Sequence, residues 1–220
     1  MSELWRPDGR DPASEIDARD ALPVERYHGS PVQVARDLLG CLLVSRRDDG
    51  LTAGLIVETE AYGGPEDAAS HAAFRRSGPV LAMWGAPGTA YVYVAYGIYP
   101  CFNVVTGAPG EASAVLVRAI EPVAGLDLME QRRGTTGARV AAGPGRLSIA
   151  LGISLEDNGR PLDRPPLWLQ PGLRPWGFVS GTRVGVRRAA DRPWRFAVAG
   201  HPAVSRPVAP GKHANEGRRS

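Results

Sequence analysis

Apolar residues recur at helical spacing between positions 30 and 40, where Val34, Ala35, Leu38 and Leu39 fall on one side of a 3.6-residue repeat. Ser30 offers a capping oxygen, Pro31 suits a first turn and Gly40 a close, so the spacing predicts a helix over 30–40. Residues 41–44 then read as a strand, and residues 51–62 as a longer one. Alternate residues of an extended chain share a face. Ile56, Glu58, Glu60 and Tyr62 therefore point one way, and Leu55, Val57 and Thr59 the other. Residues 90–105 are dominated by Tyr and Val and read as a β-hairpin that turns near Tyr96 and Gly97. Residues 113–121 form another strand, with Leu116, Arg118 and Ile120 on one face. A helix is predicted over 122–133, and a short one after the turn Gly143, Pro144, Gly145. The last third is strand and loop, rich in Pro and Gly.

These elements predict a single α/β (α+β) domain: a mostly antiparallel, curved sheet with surrounding helices and a projecting hairpin. The domain is expected over residues 21–208. Residues 1–20, rich in Asp, Arg, Ala and Pro, read as a loosely attached leader, and residues 209–220 as a basic, mobile tail.

Composition narrows the classes. The chain has 220 residues, 43% of them hydrophobic, enough for one real core. It contains no apolar run of membrane-spanning length and no signal-peptide pattern near its start, so a cytoplasmic protein is expected. Cys41 and Cys101 are too few for a disulfide framework or a zinc site, and both sit in apolar runs that suit buried thiols. No histidine spacing suggests a metal ligand set, and no cofactor is expected. The net charge is only +3, which permits a nucleic-acid partner without requiring one. Arginines cluster, however: Arg132, Arg133, Arg139 and Arg146 in one stretch, and Arg183, Arg187, Arg188, Arg192 and Arg195 in another. Each cluster reads equally as a solvated face or as a phosphate-binding one.

Candidate chemistry starts at ETEAY, residues 58–62. Two carboxylates on one strand face, beside an aromatic, fit a general base at a pocket edge; they also fit a half-solvated strand. His71, in a loop after Glu66 and Asp67, is either a surface residue or a substrate contact. Tyr96, at the expected hairpin tip, is either a wedge between base steps or a ring folded back on the domain. Asn103 and Arg118, should they converge with Glu60 and Tyr93, would line a polar pocket with aromatic walls, suited to a flat heteroaromatic ligand.

The blocks IVETEAY, GPEDAASHA, PGTAYVYVAYGIYPCFNVV, VLVRAIEP and GPGRLSIALGI, in this order and spacing, resemble the alkyladenine (3-methyladenine) DNA glycosylase family. ARDLLGCLLV resembles the family's opening and RVGVRRAADRPWRF its closing segment, so the likeness spans about residues 22–207. The resemblance implies a base-excision-repair enzyme that flips an alkylated or deaminated purine out of double-stranded DNA and hydrolyses its N-glycosidic bond. It implies Glu60 as general base. It implies Tyr62, His71 and Tyr93 as walls of the base pocket, with Asn103 a pocket residue that excludes guanine. It implies Tyr96 as the inserted side chain and Leu116 and Arg118 as neighbours of the DNA. One segment departs from the family: RRSGPVLAMWGAPG stands where R-T-x-R-N is usual, with Ser77 in place of the threonine. The chain has one lysine, Lys212, which leaves no obvious Schiff-base amine and predicts hydrolysis without strand cleavage. Without an apolar helix to pair, a monomer is expected. Two alternatives share the pocket: a nucleoside hydrolase acting on free nucleosides, and a non-catalytic sensor of DNA damage.

Overall fold

The computed structural model describes residues 4, 5 and 12–208. The tail expected at 209–220, with Lys212, lies outside the described residues. Helix α1 (Pro31–Asp37) starts at Ser30, whose hydroxyl accepts from the Gln33 N–H at 3.2 Å. The chain turns at Gly40, with φ +84°, where a β-carbon would lie 1.8 Å from the Leu173 carbonyl oxygen. Only glycine fits there.

Strands β1 (Leu42–Arg47) and β2 (Gly50–Tyr62) pair antiparallel, and β2 is the spine of the sheet. On one side it pairs with β5 (Ser113–Ala124). Its other side is divided: residues 50–55 pair with β1 and residues 58–60 with β9 (Arg195–Val198). The hairpin β3 (Ala90–Ala95) and β4 (Tyr99–Thr106) extends the sheet beyond β5. Beyond β1 lie β7 (Leu167–Gln170) and β6 (Asp163–Arg164), while β8 (Phe178–Gly181) pairs with β9. Every pairing is antiparallel, and splitting one β2 edge between two strands curls the sheet.

Helix α1 covers one face, tied to β2 where the Thr59 hydroxyl donates to the Ala35 carbonyl at 2.7 Å. Helix α3 (Pro144–Ala150) packs beside β4 and β5, and helix α2 (Leu126–Arg133) against α3 and β2. The main core gathers Leu43, Leu55, Phe102, Leu147, Trp168 and Phe196. A smaller cluster, with Val80, Met83, Tyr91 and Ala114, lies under the 3₁₀ segment Gly78–Trp84. Cys41 and Cys101 are buried free thiols, and burial pushes the Cys41 thiol up to about 12. Among the described residues no helix is long and apolar enough to cross a membrane.

Three expectations change. The helix expected over 122–133 begins only at Leu126, because β5 runs on through Pro122 to Ala124, still paired with β2 across a register shift at Val123. Pairing with Gly54 and Ala53 outweighs the local proline signal. Strict alternation also fails at register shifts between Ile56 and Thr59. These irregularities re-aim side chains, so Ile56 and Ile120 join the apolar core while Glu60 and Arg118 do not. Part of the expected loose leader is packed. Trp5 is 5% exposed, its indole N–H donates to Glu121 at 2.7 Å, and its ring lies 5.8 Å from that of His201.

Candidate active site

Glu60 lies near the end of β2, where its side chain is fully buried. Three donors converge on its carboxylate. The Val184 backbone N–H donates to Oε1 at 2.7 Å, the Tyr62 hydroxyl to Oε2 at 2.8 Å, and Arg118 Nη1 lies 3.3 Å from Oε2. Period-2 geometry explains the Glu60–Tyr62 bond, since residues two apart on a strand share a face. The donors replace water around a charge that would otherwise be costly to bury. A half-solvated strand is therefore excluded at this end of β2.

Burial raises the Tyr62 phenol well above its ordinary range, and the neighbouring Glu60 charge adds to this. Tyr62 thus remains a donor. The Arg183 guanidinium sits 4.8 Å from its ring centroid. Arg183 is held by Asp67, with Nη2 donating to Oδ1 at 2.9 Å, and both side chains are fully buried. The next residue is Val184, so this pair also fixes the backbone N–H that grips Glu60.

A 3₁₀ turn, His71–Ala73, capped by Ser70, presents His71. Its Nδ1 is 2.7 Å from the Tyr91 hydroxyl, and its ring meets that of Tyr93 edge-on at 4.5 Å. Burial, helped by the charge of Arg75, lowers its pKa below the ordinary histidine value, so the ring is neutral at neutral pH. Tyr91 and Tyr93 lean together with centroids 5.5 Å apart, and burial raises both phenols. Asn103, opposite Tyr91 across the hairpin, donates both amide protons to backbone carbonyls: to Tyr91 at 3.0 Å and Cys101 at 3.2 Å.

These groups surround a cavity of about 930 Å³. Tyr62, His71, Tyr93, Asn103, Leu116 and Arg118 line it, and Tyr96 stands at its edge. Glu60 reaches it through its bonds to Tyr62, Arg118 and Val184. Tyr96 is 93% exposed at the hairpin tip, not folded back. It and Gly97 both have positive φ, +53° and +76°, as the mirror-image hairpin turns require. A tyrosine in that backbone region is strained. The eight candidate residues, spread from 60 to 118 in the chain, thus meet at one place.

The sequence did not single out several groups here. Val184 acts through its backbone and has no side-chain signature. The second arginine cluster divides: Arg183 and Arg195 are buried ion-pair partners, while Arg187 and Arg188 are exposed at the cavity mouth with Arg75. The first cluster is mostly structural, with Arg132 on Asp49 and Arg139 on the carbonyls of Pro202 and Ser205. The divergent segment forms the 3₁₀ helix whose Pro79, Val80 and Met83 wall the cavity. Ser77 precedes it, exposed and without a side-chain capping bond. Asn158 fastens it, accepting from the Val92 N–H at 2.9 Å and donating to the Pro79 carbonyl at 3.2 Å.

A family model, Methylpurine-DNA glycosylase, matches residues 25–202. A protein of Methanoculleus marisnigri is 48% identical over 193 residues, covering 84% of this chain and 98% of its own. One from Bacillus licheniformis is 43% identical over 194 residues, covering 86% and 98%. One from Nitrosospira multiformis is 45% identical over 185 residues, covering 82% and 92%. All three bear the name "Putative 3-methyladenine DNA glycosylase". With most of its length matched and the aromatic cavity assembled around a buried carboxylate, this chain belongs to the methylpurine-DNA glycosylase family.

Proposed function

We propose that this chain flips an alkylated or deaminated purine out of duplex DNA and hydrolyses its N-glycosidic bond, leaving an abasic site. It is a DNA-3-methyladenine glycosylase of base excision repair, a hydrolase of N-glycosyl bonds. The observation that carries the mechanism is Glu60, fully buried and held by three donors beside an aromatic-walled cavity.

A stacked purine hides its glycosidic bond, so the nucleotide must leave the duplex. Tyr96 fills the gap, and Arg75, Arg187 and Arg188 meet phosphates around the cavity mouth. The extruded purine sits among Tyr62, His71 and Tyr93. A 3- or 7-methylpurine is cationic, and electron-rich rings attract it by roughly 0.5–2 kcal/mol each. Neutral His71 adds no repulsive charge. The C1′–N bond breaks, its electron pair leaving with the base. A water oxygen bonds to C1′, and Glu60 takes the water proton. The carboxylate also steadies positive charge developing on the sugar. The protein acts as a monomer.

The test is release of free 3-methyladenine from alkylated duplex DNA. A nucleoside hydrolase would instead turn over free nucleosides, and a sensor would bind without release. Tyr96→Ala should weaken binding to a lesion duplex by about tenfold or more, the scale of one lost base–aromatic stack. Unchanged affinity by fluorescence titration would remove the wedge role.

Strand cleavage needs an amine that forms a Schiff base. The only lysine of these 220 residues is Lys212, ten positions past the matched region. Borohydride should therefore trap no covalent adduct with abasic or lesion DNA. A stable adduct on a denaturing gel would establish lyase chemistry.

A further inference from the structure

Glu58 is as deeply buried as Glu60, and neither lines the cavity directly. Glu60 bonds to three residues that do, Tyr62, Arg118 and Val184, whereas Glu58 meets that lining at Arg118, and the mechanism above leaves it unused. Its Oε1 accepts from Arg118 Nε at 2.9 Å and from Arg195 Nε at 2.7 Å. Its Oε2 accepts from the Ser205 backbone N–H at 2.7 Å. Arg118 is therefore shared. It makes a short bond to Glu58 and a longer, 3.3 Å contact to Glu60. The two glutamates have wholly buried side chains, and those of Arg118 and Arg195 are 7% and 6% exposed. Two carboxylates and two guanidiniums form a neutral, largely buried quartet that meets the cavity at Arg118.

We propose that Glu58 is a positioning residue for the glycosylase reaction: with Arg195 it fixes how far the Arg118 charge leans on Glu60, and so how readily Glu60 accepts a proton. The inference rests on the reading of Glu60 as the base. A guanidinium fully committed to Glu60 would make the carboxylate a poor proton acceptor. With no cation nearby, burying the carboxylate would be costly. Glu58 holds the intermediate arrangement by drawing Arg118 toward itself, while Arg195 limits how strongly it does so.

The groups facing Glu60 are few. Tyr62 and Glu58 come from β2, Arg118 from β5, Arg195 from β9 and Tyr93 from β3; the Arg183–Asp67 pair lies behind Tyr62. Tyr62 and Tyr93 stay protonated, because burial raises both phenols. The charge balance is therefore set by the quartet. Glu58→Gln leaves it one positive charge in excess, and Arg195→Met one negative charge.

The experiment is single-turnover release of 3-methyladenine from alkylated duplex by the full chain, followed between about pH 5 and 9. Glu58→Gln should move the acid limb of the rate down by about one pH unit, and Arg195→Met should move it up by a similar amount. Lesion-duplex affinity should stay within about threefold, since neither residue touches DNA in this reading. Glu58→Asp, which keeps the charge, should keep the limb. A purely structural clasp would lower thermal stability in both variants and shift the limb in neither, or in the same direction in both. Either result, in protein that melts cooperatively and binds lesion DNA, overturns the proposal. Should Glu58→Gln fail to fold, Arg195→Met decides alone by the direction of its shift. Full activity in Glu60→Gln would instead sink the reading of the base, a distinct failure.

Discussion

Glu60→Gln should lower the single-turnover release of 3-methyladenine by about a thousandfold, roughly 4 kcal/mol of barrier, while lesion-duplex affinity stays within about tenfold. Glutamine matches the shape and retains an acceptor, but it has no charge with which to take a proton or face a developing cation. The amide also fits poorly among the donors. Its oxygen can keep the Val184 N–H. Its NH₂ then faces the Tyr62 hydroxyl, which can rotate and accept, and Arg118, which cannot. A loss of about 1 kcal/mol in stability accompanies the loss of chemistry. Rates and affinities must therefore be compared in protein shown to be folded. Retained release at even a tenth of the original rate would mean that another group activates water.

The separation between binding and chemistry follows from what surrounds the purine. In the proposed mechanism its faces meet Tyr62, His71 and Tyr93, and its exit from the duplex is secured by Tyr96 and the arginines at the mouth. None of these contacts needs the Glu60 charge. A sensor of damage would use the same contacts, so affinity alone does not distinguish the readings. The rate does.

Much of this arrangement was legible in the chain because it is local. Period-2 spacing places Glu60 and Tyr62 on one face, and the structure joins them by a hydrogen bond. Alternating Tyr and Val with a glycine at the turn announces the hairpin, and the exposed ring of Tyr96 sits at its tip. Contacts made by partners far apart were not legible. Arg183 and Asp67 are 116 positions apart, and Arg195 and Glu58 are 137 apart. An arginine-rich segment looks the same whether its charges face water or buried acids. The irregularities around Ile56, Glu58 and Arg118 arise from pairing between strands, so neither strand shows them alone. Pro122 misled for the same reason, since a proline punctuates local structure while the partner strand decides how far β5 extends. Trp5 was hidden by polar neighbours that signal a loose end.

Asp67→Asn should cost about 3–5 kcal/mol of folding stability, because it leaves Arg183 buried without its counter-charge. At about 2–4 °C per kcal/mol for a chain of this size, the melting temperature should fall by roughly 10 °C. Carbonyl contacts to Ala61 and Ala189 and the ring of Trp194 remain, but none carries a negative charge. The pH dependence has a definite sign. Burial raises the Asp67 carboxyl, but the Arg183 hydrogen bonds and the Gly63 N–H outweigh it and hold it below the usual carboxylate range. A carboxyl depressed on folding contributes its full stability above the unfolded value of about 3.9 and loses it as pH falls through the lower, folded one. Below about pH 4 the melting temperatures of the variant and the original should therefore converge, with the gap widest at neutral pH. The double replacement Asp67→Leu with Arg183→Met should recover much of the stability, since a well-filled apolar pair often equals a buried ion pair. It should not recover the rate, because the guanidinium lying against Tyr62 would be gone and the backbone at Val184 would no longer be anchored to Asp67. Thermal melts across this pH range, paired with single-turnover rates, separate the two effects. A drop under about 2 °C at neutral pH would show that Arg183 finds compensation elsewhere.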